Sequence, residues 1–74
     1  MYENDIGINA GEIWRLLVNN GAMSIRDLNE RTDYKEAFIL LALGWLARED
    51  KIRFFDKNGI LHVELCHPVS EMYY

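Results

Sequence analysis

His62, Cys66 and His67 fall within six residues near the end of the chain and are the side chains best suited to hold a soft or borderline metal. Structural zinc normally takes four ligands in two paired clusters, and here there is one cluster at the end of an alternating stretch. Strand alternation also puts His62 and Cys66 on one face and His67 on the other. The same residues do not compose a nucleophilic site, because no glycine-rich turn presents Cys66 or a serine and nothing supplies an oxyanion hole. There is no phosphate-binding loop and no pair of acids in distinct environments. Trp14 and Trp45, at helical positions, read as core or interface residues and not as a cofactor box. The expectation is a protein that is not an enzyme and takes no metal, cofactor or small molecule, with His62 stacked on Phe55 and Cys66 acting as a small hydrophobe. A catalytic or metal-sensing domain would need zinc on His62, Cys66 and His67.

The elements that position these residues must come from a single domain, 1–74, since 74 residues that are 50% hydrophobic give one packed core near the lower size limit for unstapled folding. The formal net charge of −4 lacks the basic excess with which a dedicated nucleic-acid binder neutralises phosphates. A lone cysteine suits a reducing cytoplasm. No basic-then-apolar leader precedes a cleavage site. The longest uncharged apolar run, the eleven residues Ala37–Ala47, is far short of the ~20 needed to cross a bilayer. The expectation is a cytoplasmic protein without a membrane partner.

A capping residue followed three positions later by an acid recurs as Asn9/Glu12, Ser24/Asp27 and Asp33/Glu36, a reciprocal N-terminal box in which each side chain satisfies the other's backbone donor. Ile8 with Ile13 and Met23 with Leu28 supply hydrophobic staples for the first two. The first helix then runs from about Ala10 to Asn20, burying Ile13, Leu16 and Leu17, and ends at Asn20-Gly21 in a left-handed turn. The second covers Ile25 to about Arg31, and the third starts after Asp33 and continues to about Glu49. A short extra strand near residues 22–24 is compatible with this order. After Lys51 the pattern alternates, and Asn58-Gly59 is the preferred pair for a type I′ hairpin. That loop sets Lys57 against Ile60, Phe55 against His62, Phe54 against Val63, Arg53 against Glu64 and Ile52 against Leu65. One face collects Ile52, Phe54, Leu61, Val63 and Leu65. The core then spans 6–65, and 66–74 is a tail with no clear element.

Helix, short helix, tight turn, long helix and hairpin is the order of a winged helix-turn-helix domain, an α+β fold of three helices followed by a two-stranded antiparallel wing. The segment Ser24–Ile52, with Ser-Ile-Arg-Asp-Leu, Thr-Asp, Ile39, Leu43, Leu46 and Lys51-Ile52, resembles the corresponding part of many bacterial transcription regulators. Ile-Asn-Ala-Gly-Glu-Ile-Trp at 8–14 and Leu-Gly-Trp-Leu-Ala-Arg-Glu-Asp-Lys-Ile at 43–52 resemble a small prokaryotic family of stand-alone winged helix-turn-helix proteins of unassigned function. The resemblance implies architecture and not activity.

In such domains, bases are read by the first two turns of the third helix and phosphates by its ends and the wing. With Ile39, Leu43 and Leu46 inward, the outward or flanking positions are Lys35, Glu36, Phe38, Leu41, Gly44, Trp45 and Arg48. Base edges present hydrogen-bonding groups, and this face offers mostly carbon. Asp33 and Glu36 would further place two negative charges at the helix start. The face therefore predicts protein docking, most simply by a second copy, with Phe38, Leu41 and Trp45 as anchors aided by Tyr73 and Tyr74. Gly44, costly inside a helix, suggests close approach by another element. The alternative for these side chains is cover by the first helix, hairpin and tail of the same chain. The second functional reading is a DNA-binding transcription regulator. Arg48, Lys51, Arg53 and Lys57 are half of the eight basic residues, and with Lys35 and Asn58 they could follow a phosphate backbone. Glu49, Asp50 and Asp56 lie in the same stretch and Arg53 faces Glu64, so a solvated mixed-charge surface is the plainer account.

Overall fold

The computed structural model describes residues 2–66, with side chains from residue 6 onward. Its first helix, α1 (Tyr2–Asn20), begins well before Ala10. Ile6, Ala10, Ile13 and Leu17 follow helical spacing, and burial of Ala10, Ile13 and Leu17 with Ile6 half-buried gives the extension a face on the core. Continuous helix is thus favoured over a box at Asn9, whose backbone stays helical. Ile8 points outward, 67% exposed, so the staple with the fully buried Ile13 does not form. Glu12 instead lies 3.6 Å from Arg15, an exposed pair of little energetic weight. Leu16 is only partly buried. The C-terminus is as expected: Gly21 adopts φ +78 and its N–H donates to the Leu17 carbonyl at 2.9 Å.

Strand β1 (Met23–Ser24) leads directly into α2 (Ile25–Thr32). The Ser24 hydroxyl accepts from the Asp27 N–H at 3.0 Å, and the Asp27 carboxylate accepts from the Ser24 N–H at 3.1 Å, the full reciprocal box. Met23 and Leu28 are both buried in the core. Asp33 has a different task from the one its spacing suggests. It ends α2 at φ 64 and donates its N–H to the Asn29 carbonyl at 2.8 Å, so it is not the cap of the next helix. The turn that follows is tied by side chains: the Thr32 hydroxyl accepts from the Tyr34 N–H at 3.1 Å and the Asn29 amide donates to the Tyr34 carbonyl at 2.6 Å. Helix α3 (Glu36–Arg48) therefore starts after Lys35, whose side chain makes no capping bond.

Ile39, Ala42, Leu43 and Leu46 set α3 on the core with Ala10, Ile13 and Leu17 of α1, joined by Met23, Leu28, Ile52 and Val63. α3 ends in a Schellman turn in which Asp50 takes φ 63, its N–H donates to the Ala47 carbonyl at 2.9 Å and the Lys51 N–H to that of Leu46 at 3.0 Å. This reversal delivers the chain into β2 (Ile52–Lys57), which turns at Asn58-Gly59 into β3 (Ile60–Leu65). Positive φ at both turn residues, 54 and 81, is the type I′ geometry. Every hairpin pair expected from the sequence is present, from Ile52 with Leu65 to Lys57 with Ile60. β1 adds to the far side of β3 through Met23 with Val63 and Ser24 with His62, giving the order β1-β3-β2. The face that the alternation assigns to the core is only half used. Ile52 and Val63 are buried, but Phe54, on the edge strand opposite Val63, is 44% exposed and Leu61, towards the hairpin tip, 45%.

Candidate functional site

α3 presents two faces set by its period. The inner one is complete, and the outer one carries Leu40 at 48%, Leu41 at 50% and Trp45 at 45% exposure. Leu41 and Trp45 are one turn apart, with half-buried Phe38 behind them at i, i+3 and i+7 spacing, so the three form one ridge. Cover by the rest of the chain thus leaves Leu41 and Trp45 about half exposed. Among the described residues no element closes on Gly44 as expected, since an added Cβ there would meet nothing within 4 Å. Leu40 was not singled out by its spacing, although a run apolar on all sides must leave some such residue outside. Tyr73 and Tyr74 lie outside the described residues.

Charges flank this face at the ends of α3 and along the neighbouring α2 and hairpin. Glu36 alone is acidic in the first turn of α3, since Asp33 belongs to the end of α2. Lys35 and Arg48 are exposed at its two ends, Lys51 is half-buried, and Lys57 and Asn58 are exposed at the hairpin tip. Arg53 is held by Glu64 at 2.8 Å, as the register requires. Arg26 lies 3.4 Å from Glu30, and the Arg31 guanidinium donates to the Asn20 side-chain carbonyl at 3.5 Å. Among the described residues, two groups titrate away from their usual range. The Asp27 carboxyl is lowered by the hydrogen bonds from the Ser24 backbone and side chain, and the Tyr34 phenol is raised by burial with a smaller contribution from Glu12.

His62 stacks on Phe55 with ring centroids 5.4 Å apart, and its Nδ1 is 2.9 Å from the Ile60 carbonyl. Cys66 is a half-buried free thiol, and His67 lies outside the described residues. Among the described residues no group of three or more metal-ligating side chains is gathered.

Two grooves were not legible in the sequence. One, of about 520 Å³, lies between α2, the start of α3 and the hairpin tip, with Ile25, Arg26, Asn29, Glu36, Ile60 and Leu61 along it. The other, of about 230 Å³, runs between α1 and α3, floored by Gly7, Ala10 and Gly11 and walled by Trp14, Trp45 and Leu46. Both are assembled by packing between distant segments, for which a single sequence carries no periodic signal.

A helical pair joined by a tight turn and followed by a β2–β3 ribbon corresponds to the family model described as "Winged helix-turn-helix domain (DUF2582)", which matches residues 1–65. The chain belongs to this family. In a winged helix-turn-helix domain, α2 and α3 form the helix-turn-helix and β2–β3 the wing. The solution NMR structure of protein BT2368 from Bacteroides thetaiotaomicron is similar, with 33% sequence identity and a TM-score of 0.78 over 89% of this chain and 80% of that one. No curated protein matches the chain. Among the described residues, no helix of this winged helix-turn-helix protein is long and apolar enough to cross a membrane.

Proposed function

We propose that this winged helix-turn-helix domain is a non-enzymatic interaction module that pairs with a second copy of itself through the outer face of α3. The observation that carries this reading is the exposure of Leu41 and Trp45, each close to half, in line with half-buried Phe38 on the helix that in related architectures reads DNA. Single exposed apolar residues are ordinary, but a contiguous ridge of them marks an interaction surface. A two-fold pairing presents the same patch from both sides, so the patch must fit itself. Here the open space over Gly44 lies beside the Leu41–Trp45 ridge and can receive the partner's ridge. Phe38, Leu41 and Trp45 are the anchors, while Ile39, Leu43 and Leu46 hold the helix on its own core. Native mass spectrometry of the wild type and of Trp45→Glu tests this. A dimer that the substitution converts to a folded monomer supports the reading, and a wild-type monomer at all concentrations contradicts it.

The second reading, a DNA-binding regulator, is favoured by the exposure of Lys57 and Asn58 at the wing tip and of Arg48 at the end of α3. It is weakened by the commitment of Arg53 to Glu64 and by the lack of hydrogen-bonding side chains along the outer turns of α3. Affinity for duplex that falls steeply with salt and with Lys57→Ala would establish it. Absence of duplex binding at low salt removes it.

A further inference from the structure

We propose that the free edge of β2 takes an added strand from a partner protein, an extended segment that alternates apolar and acidic residues. The first observation is the unused backbone of that edge. β2 is the outer strand in the order β1-β3-β2, and it pairs with β3 residue for residue, from Ile52 with Leu65 to Lys57 with Ile60, without a bulge. A two-residue loop makes Lys57 and Ile60 a hydrogen-bonded pair, and such pairs alternate along an antiparallel ladder. The Cys66 N–H, which donates to the Lys51 carbonyl at 2.9 Å, keeps the same phase at the other end. Arg53, Phe55 and Lys57 therefore turn their N–H and C=O groups toward β3, and Ile52, Phe54 and Asp56 turn theirs outward. Among the described residues no strand lies on that side. β2 contains no proline, and an open edge of six residues is a template for one more strand.

Side chains decide which strand fits. On one side of the sheet Phe54 stands 44% exposed beside buried Ile52, and an apolar side chain of the incoming strand covers it. On the other side Arg53, Phe55 and Lys57 alternate, so two cations bracket a ring. Glu64 engages Arg53 at 2.8 Å, and among the described residues no acid pairs with Lys57. A second copy of β2 is a poor occupant, because two-fold antiparallel pairing sets cations opposite each other in each register that joins the outward groups. Centred on Arg53 it opposes the two copies of that residue, centred on Phe54 it sets Lys57 against the other copy's Lys51, and centred on Phe55 it sets Lys57 against the other copy's Arg53. Like charges directly opposite are destabilising, whereas acidic side chains at the same positions meet Arg53 and Lys57. The chain's net charge of −4 does not prevent this, since exposed charges beyond about 8 Å are screened at physiological salt. The inference does not rest on pairing through α3.

The test uses the full chain, isotopically labelled, at low salt. One probe is acetyl-Glu-Val-Glu-Val-Glu-Val-Glu-amide, and the other is the same peptide with lysine in place of glutamate. The acidic peptide is expected to bind about tenfold more tightly or better, with affinity that falls as salt rises. Amide exchange of Phe54 and Asp56 should slow about tenfold or more on binding, while Phe55 and Lys57, already bonded to β3, change little. That alternation reports an added strand. Asp56→Pro removes an outward donor and leaves the ladder to β3 intact. It also removes a negative charge, so weaker binding of the acidic peptide reports the backbone. Asp56→Asn keeps the donor and should bind at least as well as the wild type, and Lys57→Glu should narrow or reverse the preference between the peptides. No binding of the acidic peptide, or equal binding of the basic one, overturns the proposal. So does binding that leaves exchange at Phe54 and Asp56 unchanged, or that survives both Asp56→Pro and Lys57→Glu. Protection of Phe54 and Asp56 that grows with protein concentration in the absence of peptide also overturns it, and assigns the edge to a second copy.

Discussion

Leu41→Glu separates the fold from the assembly. Leu41 is 50% exposed and sits in the outer middle of α3, where glutamate is as good a helix former as leucine, so the folded monomer should lose only the half of the leucine that the fold already covers, about 1 kcal/mol. The same position in a two-fold interface behaves differently. Full burial of a leucine contributes roughly 1.5–3 kcal/mol, so covering the half left open by the fold contributes about 1 kcal/mol per copy and about 2 kcal/mol per dimer. Replacing it with carboxylates also places two charges in an apolar contact, which adds a desolvation cost. The dissociation constant of the dimer should therefore rise about thirtyfold or more, while the dilute protein still unfolds cooperatively with its thermal midpoint lowered by only about 4–8 °C. Sedimentation velocity across concentration and a thermal scan give the two numbers. Unfolding of the variant would place Leu41 in the intrachain core, and an unaltered dissociation constant would remove it from the interface. Either result refutes the reasoning.

Further outcomes follow from the same packing. Leu43→Ala, at a site only 1% exposed, should cost about 2–5 kcal/mol in a denaturant titration. A loss below 1 kcal/mol would mean that α3 does not sit on the core as described. Ser24→Ala removes the cap of α2 and should cost about 1 kcal/mol by chemical denaturation. Because Asp27 is held below its usual range in the folded state, its stabilisation is fully present above about pH 4 and is lost as pH falls through the lowered folded value. Asp27→Asn should flatten that acid limb of the stability curve. Gly44→Ala should raise monomer stability by up to about 1 kcal/mol, since the helix gains and nothing is in the way. The same substitution should weaken the dimer if the partner fills that space, and a strengthened dimer would exclude Gly44 from the contact.

Local chemistry made most of the fold legible. Asn58-Gly59 admits one tight hairpin, and with it the whole register of β2 on β3 and the Arg53–Glu64 pair were determined. Asn20-Gly21 and the Ser24/Asp27 box marked two helix ends because each carries its own hydrogen-bond solution. The errors came where a local signal met a stronger neighbour. Asn9/Glu12 spells a box, but the apolar spacing of Ile6, Ala10 and Ile13 carries α1 through it. Asp33/Glu36 spells another, but Asp33 is taken by the left-handed end of α2. On the outer face of α3, the period identified the inward residues and by subtraction Leu41 and Trp45. In the hairpin, alternation could not rank Phe54 and Leu61, whose exposure depends on their place at the sheet edge and towards the tip. Alternation assigns a face and does not say whether anything lies under it.

The proposed pairing of two copies through the outer face of α3 has one direct readout. Light scattering of the purified protein across concentration, with and without random-sequence duplex DNA at low salt, tests it most directly. The account predicts a dimer whose mass does not change when duplex is added. A monomer that shifts onto duplex would contradict it and make the wing the functional surface.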